Sequence, residues 1–496
     1  MVMTKKPVIL AYLLLAAAIP DVQGAEIRLA EEVIEYEIPP EPVEEGQIVP
    51  VAEEGIDEGE DSSEPAVISE DLLVNEFSLF KQLMQDGVLD EADSVAKRIV
   101  ELVIRLKGPQ SNEFAKALTN LAIVQFQAKE YGAAQQNYES AIEIIEDNED
   151  RLNAQLVNPL KGLGAAQLES GRPDLATQSF ARAVHVTHVN EGPHNLDQVD
   201  LLESLAETHL RMGDLDEAKE AQDHIYSLNV REYDLDTMGL VPSLMRRAAW
   251  QHRAGFVYDE RTTYRRVIRT IEENTNRNDL QLVEPLILLG KSFFYIDTSG
   301  TQTFHEARMS TGEIYFRRAT RIATEHPDTN WQIVAQATLA LGDYYMYDNN
   351  SQHGRQVYRS AWNILSEEED RLDVRHDQLE GIVPLKQRNL PQYVDTSDME
   401  AGLQDDNPLL QGRIVVTYAV STRGRAEELK MIEAIPAEFT DMQNYVQREM
   451  RRRIYRPRFV DAEAVPTPNQ QLVHNFYYRQ SDLDTAVAVA TAAAEE

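Results

Sequence analysis

The sequence predicts a mainly α chain, a right-handed helical-hairpin solenoid that carries a small α+β domain of ββαβ order toward its C-terminal end. Two observations point there. Ala122, Gly164, Ala206, Ala248 and Gly290 each stand 42 residues after the last, and Gly342 follows after 52. In step with the first three, 12, 16 and 19 residues downstream, stand Ala134, Tyr138 and Ala141, then Ala176, Phe180 and Ala183, then Ala218, Gln222 and Ile225. Small residues at fixed phase let paired helices approach closely, while the bulkier positions fill the space toward the next unit. The second observation is a change of period at Gly412. Ile414, Val416, Tyr418 and Val420 alternate with Val415, Thr417 and Ala419, the two-residue period of a strand.

Length and composition bound the rest. A chain of 496 residues exceeds one ordinary core, so several domains or an extended solenoid are expected. A formal net charge of -37 argues against a nucleic-acid backbone as partner. The chain has no cysteine, which excludes disulfides, thiolate zinc sites, a cysteine nucleophile and a lipoprotein anchor. At the N-terminus, Lys5 and Lys6 precede an apolar run from Pro7 to Ile19, closed by Pro20-Asp21, with a plausible cut at Gly24/Ala25. That is the layout of a cleaved secretory signal, and the run is too short to span a bilayer. Export to the periplasm is the expectation for a cell with two membranes.

Residues 25–70 read as a disordered acidic arm: from Glu26 to Glu70 there are sixteen Asp and Glu against the single basic residue Arg28, with five prolines among them. From Leu72 the spacing becomes helical. Phe80 stands 42 residues before Ala122, so the array begins there and runs over 71–380 as about seven hairpins. Tyr131-Gly132, Ser170-Gly171-Arg172-Pro173 and Met212-Gly213-Asp214 are turn signals between first and second helices. The fourth hairpin departs from the pattern, with Glu260 where alanine is expected and a basic patch of Arg246, Arg247, Arg253, Arg261, Arg265, Arg266 and Arg269. These arginines are expected to be solvated or paired, or to line a groove for an acidic peptide. The fifth hairpin carries ten extra residues around Asp297 to Thr301. A capping helix over Val374 to Leu379 and a linker at 381–407 lead into the C-terminal domain, 408–480. An Ala-rich tail, 481–496, is expected to be disordered.

The ladder, with Leu163-Gly164, Leu289-Gly290 and Leu341-Gly342, resembles the tetratricopeptide repeat in the 42-residue form of the kinesin light chains. That resemblance implies a protein-binding scaffold whose first helices line a concave groove. Its facing positions here are Phe126, Lys161, Leu168, Glu203, Arg253, Lys291, Tyr295, Met346 and Tyr347. In the C-terminal domain, two strands joined at Gly424-Arg425 are followed by a helix from Phe439, a Tyr455-Arg456-Pro457 exit, and a Val465-Pro466 entry to a third strand. This order resembles the C-terminal domain of TonB-family proteins, with Ile454 where a tryptophan is often found. The implied partner is an envelope protein, with a TonB-dependent outer-membrane transporter as one candidate. Its implied site is the edge formed by Leu472, Val473, His474, Asn475, Phe476, Tyr477 and Tyr478, where an extended peptide would add by main-chain hydrogen bonds.

No catalytic constellation stands out. His185, His188 and His194 lack accompanying ligands of diagnostic spacing, and Gly162 and Gly164 read as close-approach positions in a packed helix. The expectation is a scaffold without enzymatic activity, cofactor or metal; a TonB-type energy transducer or its accessory is the alternative.

Overall fold

A computed structural model describes residues 69–295, 312–386, 390, 410–481 and 483. The expected signal and ten-residue insertion, nearly all of the acidic arm and Ala-rich tail, and most of the linker lie outside the described residues; the arm's last residue, Glu70, opens α1. By its internal contacts the chain divides into two units, with the boundary between Leu228 and Asn229.

The first unit is helical. It contains α1 (Glu70–Asp86), α2 (Leu89–Lys107), α3 (Asn112–Gln127), α4 (Tyr131–Asn148), α5 (Val157–Glu169), α6 (Pro173–Glu191), α7 (Val199–Met212) and the greater part of α8 (Leu215–Tyr233). Local chemistry sets the ends of these helices. The Ser69 and Ser111 hydroxyls accept from Leu72 N and Phe114 N, and Gly87 and Gly213 close α1 and α7 in the left-handed region, at φ 72° and 93°. A one-turn 3-10 helix leads into α5 at Ala154–Leu156 and into α7 at Leu196–Gln198.

Packing explains the ladder. Tyr138 and Phe180, both fully buried on the second helices α4 and α6, lie over the glycines of α5. A Cβ on Gly162 would stand 2.2 Å from the Tyr138 ring, and one on Gly164 2.9 Å from the Phe180 ring, so only glycine fits either place. Polar residues keep the same period. Asn137 Nδ2 donates to Gln125 Oε1 (2.7 Å), and 42 residues later Ser179 Oγ donates to Gln167 Oε1 (2.8 Å). Asn148 and Asn190 each send Nδ2 back 38 residues, to the carbonyls of Gln110 and Leu152.

The second unit continues the repeat through α9 (Val241–Arg253), α10 (Val257–Asn274), α11 (Val283–Ser292), α12 (Glu313–Glu325), α13 (Trp331–Tyr347), α14 (Ser351–Ile364) and the short α15 (Leu372–Leu379). One-turn 3-10 helices recur at Met238–Leu240 and Leu280–Leu282, again 42 apart. Phe316 lies over Gly290 and Tyr358 over Gly342, with a Cβ excluded at 2.7 and 2.5 Å. Thr263 Oγ1 donates to Gln251 Oε1 at 2.8 Å. Asn274 Nδ2 bonds the Asp236 carbonyl, 38 residues back.

The α+β module follows in the same unit. Antiparallel β2 (Leu410–Val420), β3 (Ala426–Ile435) and β7 (Thr467–Tyr478) form a sheet of order β3-β2-β7. The helix α16 (Thr440–Arg452) covers one face through Met442, Val446 and Met450, which pack with Ile414, Val416, Tyr418 and Phe476. Between helix and last strand run β4 (Ile454–Arg456), β5 (Arg458–Val460) and β6 (Glu463–Val465). The linker expected at 381–407 needs one correction. Residues Val383–Lys386 form a strand, β1, antiparallel to β4. Pro384 reads as a breaker in sequence but is tolerated because this two-stranded ribbon has an irregular register beside it.

Candidate functional site

The positions assigned to a groove separate by burial. Leu168 and Met346, 2% and 1% exposed, are core residues. In the first unit, Phe126 is half-buried with its ring 5.4 Å from Tyr131. Lys161 is 7% exposed, its Nζ 3.8 Å from Asp200, and Glu203 is half-buried on α7.

In the second unit Arg253 ends α9, and the other three positions lie on or pack against the end of α11. Lys291, Tyr295 and Tyr347 are all half-buried. The Tyr347 ring stacks on Phe294 at 4.3 Å between centroids, and its hydroxyl donates to the Phe293 carbonyl at 3.2 Å. Lys386 on β1 places its ammonium 5.3 Å from the same ring, and Tyr295 meets His252 edge to face at 4.6 Å. Burial pushes the Lys291 ammonium down from its ordinary range. The nearby Arg456 adds to this, while Asp343 and Glu284 oppose it. Among the described residues no carboxylate comes within 4.0 Å of Lys291 Nζ. The result is a ledge of aromatic rings at the end of α11, with the Lys386 ammonium over one ring and the Lys291 ammonium in the field of Asp343, Arg456 and Glu284.

The seven arginines of the fourth hairpin do not form one patch. Arg261 is buried, with Nε on Ser292 Oγ (3.2 Å) and its guanidinium 3.7 Å from the Phe293 ring centroid. Arg266 pairs with Asp236 at 3.2 Å. Arg246, Arg247 and Arg253 lie on α9, whereas Arg265 and Arg269 occupy the exposed face of α10. A 3.6-residue period spreads a run this dense around two helices. Glu260 is 2% exposed and sits 3.1 Å from His252 Nδ1. His252 stands at the phase of Phe126, Leu168 and Phe294, so the irregular hairpin replaces an apolar pair with a polar one.

Sequence reading missed a second cluster, where α13 and α14 meet the module. Arg456, 4% exposed, donates from Nε and Nη2 to the two carboxylate oxygens of Asp343, both at 2.9 Å. Its Nη1 donates to the Gln378 carbonyl (2.9 Å) and to Gln378 Oε1 (3.1 Å). Tyr358 OH donates to Asp343 Oδ1 at 2.7 Å, and the phenol is pushed well above its ordinary range by burial and by that carboxylate. Burial disfavours the Arg456 charge, but Asp343 outweighs it and holds the guanidinium protonated more firmly than usual. The signal in sequence was Arg456 itself, a cation set between Tyr455 and Pro457 in an otherwise buried strand.

Leu472 to Tyr478 lie on β7, an outer strand of the three-stranded sheet. His474, Phe476 and Tyr478 are buried, Leu472 and Tyr477 half-buried, and Val473 and Asn475 exposed. His185, His188 and His194 are all exposed, and among the described residues no group of three or more His, Cys, Asp or Glu is arranged to hold a metal. No described helix is long and apolar enough to cross a membrane.

No protein-family profile matches the chain, and no curated protein matches it. It is similar to solved helical-repeat structures. A putative kinesin light chain from Podosopora anserina with nearly identical TPR-like repeats aligns at 13% identity, over 41% of this chain and 97% of that one, with a TM-score of 0.38. BtubC (BKLC) from P. vanneervenii aligns at 15% identity, over 49% and 93%, with a TM-score of 0.36. The C-terminal part of a TPR repeat-containing protein from Cytophaga hutchinsonii aligns at 11% identity, over 60% and 98%, with a TM-score of 0.38. By the spacing and packing of its own residues, the chain is a helical-hairpin repeat protein with a C-terminal α+β module.

Proposed function

We propose that this chain is a non-enzymatic, tetratricopeptide-type scaffold of the cell envelope, exported to the periplasm, whose second unit holds an acidic segment of a partner protein. The observation that carries this reading is the ledge at the end of α11. Half-buried Lys291 is desolvated without an ion pair among the described residues; Phe293, Phe294 and Tyr295 follow it on the chain, and Tyr347, with Lys386 over its ring, packs on Phe294. A carboxylate from a partner supplies what burial has removed. The net charge of -37 supports a protein partner over nucleic acid. The signal-like N-terminus supports export.

A photo-crosslinking amino acid in place of Tyr295 tests the reading in cells. Discrete adducts with an envelope protein, absent when the same group replaces exposed His185, are expected. Equal labelling from both positions contradicts a site on the ledge.

A TonB-type energy transducer is the second reading, favoured by the order of strand, Gly424-Arg425 turn, helix and Tyr455-Arg456-Pro457 exit. On that reading the partner is a TonB-dependent outer-membrane transporter and the docking edge is β7. Force transmission requires a membrane anchor, so intact mass decides between the two. Loss of residues 1–24 from the mature protein supports the scaffold, and their retention in a membrane fraction supports the transducer.

A further inference from the structure

We propose that the C-terminal α+β module is the terminal cap of the helical array, and that the buried Arg456–Asp343 pair fixes its seat. A stack of hairpins ends on an apolar face that only a capping element can cover. Here the last hairpin contributes Leu339, Tyr358, Ala361 and Leu365 to one buried cluster shared with Leu385, Ile454 and Phe459 of the β1–β4 ribbon and β5. The Tyr358 and Phe459 rings meet edge to face at 5.6 Å.

Main chain and turn geometry join the same seat. The strand β1 leaves α15 and pairs directly with β4, so the ribbon is built half from the end of the array and half from the module. At Gly424 a Cβ would stand 3.0 Å from the Met346 methyl of α13 and 2.0 Å from the Tyr455 carbonyl, which ties the module's Gly-Arg turn to the array. At the rim, Arg359 of α14 bonds Glu463 of β6.

The ion pair gives this apolar seat its register. Buried pairs add little net stability over apolar side chains of equal size, because both charges are desolvated, but they penalise every arrangement that separates them. Arg456 makes four hydrogen bonds here, two of them as a fork on Asp343, and any shift of the module leaves two buried charges apart. The Tyr455-Arg456-Pro457 segment is therefore spent on the chain's own last hairpin. The seat borders the ledge, since Lys386 lies on β1 and the Lys291 ammonium feels both Asp343 and Arg456, but it does not depend on a partner being bound there.

The chain has no cysteine, so Arg359→Cys with Glu463→Cys in the full-length protein gives a pair that a bifunctional maleimide can join. Efficient joining within one chain is expected in this parent, and a severalfold loss on adding Asp343→Ala, Arg456→Ala or Arg456→Lys, since lysine cannot form the fork. A fourth variant, Asp343→Leu with Arg456→Met, keeps the volume apolar. It is expected to keep its helical circular dichroism while its joining yield falls. Full joining in that variant, or unchanged joining in the single variants, overturns the role of the ion pair. Failure of the parent to join overturns the cap itself.

Discussion

At the scale of single residues, glycine and charge are used where nothing else fits. Gly162 lies under the Tyr138 ring, so Gly162→Ala overpacks the α4–α5 contact and is expected to cost about 1–3 kcal/mol. Gly132, with open space around its Cβ position, serves as control. Chemical denaturation of both alanine variants checks this, and equal losses would contradict the packing account. Lys291 offers a test with a pH sign. Its folded-state pKa is depressed, so its proton is held less well in the folded chain than in the unfolded one. The cost of keeping it charged is present at neutral pH and disappears as pH rises through its unfolded value, about 10.4. Lys291→Met is therefore expected to melt higher than the parent at pH 7, with the difference shrinking above pH 10. A lower melting temperature at pH 7 would show that the ammonium is compensated after all.

At the scale of elements, each hairpin repeats one packing rule, and the fourth breaks it. Glu260 occupies a place filled by Ala134, Ala176 and Ala218 elsewhere, and His252 has been recruited to hold its carboxylate. Returning both to the repeat's own residues, Glu260→Ala with His252→Phe, is expected to stabilise the protein by about 0.5–2 kcal/mol, whereas Glu260→Ala alone orphans the imidazole and gains less. Denaturant midpoints of the two variants decide it. Much of this was legible in sequence: the small-residue phase, the Tyr138 and Phe180 positions and the turns at Gly171 and Gly213 follow from a period of 42, and Phe316 follows once the ten extra residues are counted, whereas Tyr131-Gly132, read as a turn, opens α4. The one-turn helices keep the same spacing, at Leu156, Gln198, Leu240 and Leu282, but were missed, because three residues are too few for a periodicity to register. The polar ladder of Gln125, Gln167 and Gln251 escaped because glutamine inside a helix normally signals solvent.

At the scale of the whole molecule, what sequence could not show is non-local. Asp343 and Arg456 are 113 residues apart and neither sits in a motif that names the other; only folding brings them together. The strand β1 was read as linker for the same reason, because four residues with a proline become a strand only when β4 arrives to pair with them. The arginine run of the fourth hairpin divides as solvated and paired groups do, with Arg265 and Arg269 exposed and Arg266 on Asp236, while the burial of Arg261 over Phe293 depends on a helix that sequence alone does not bring to it. What the two units share is a division of labour between a repeat that builds surface and irregular places that carry charge. The ledge around Lys291 is the irregular place with the most to offer a partner. The most direct measurement is adduct yield from a photo-crosslinking group at Tyr295, compared between the parent and Lys291→Met in cells. The variant is expected to fold with higher stability and to lose the adduct. An undiminished adduct in the variant would contradict it.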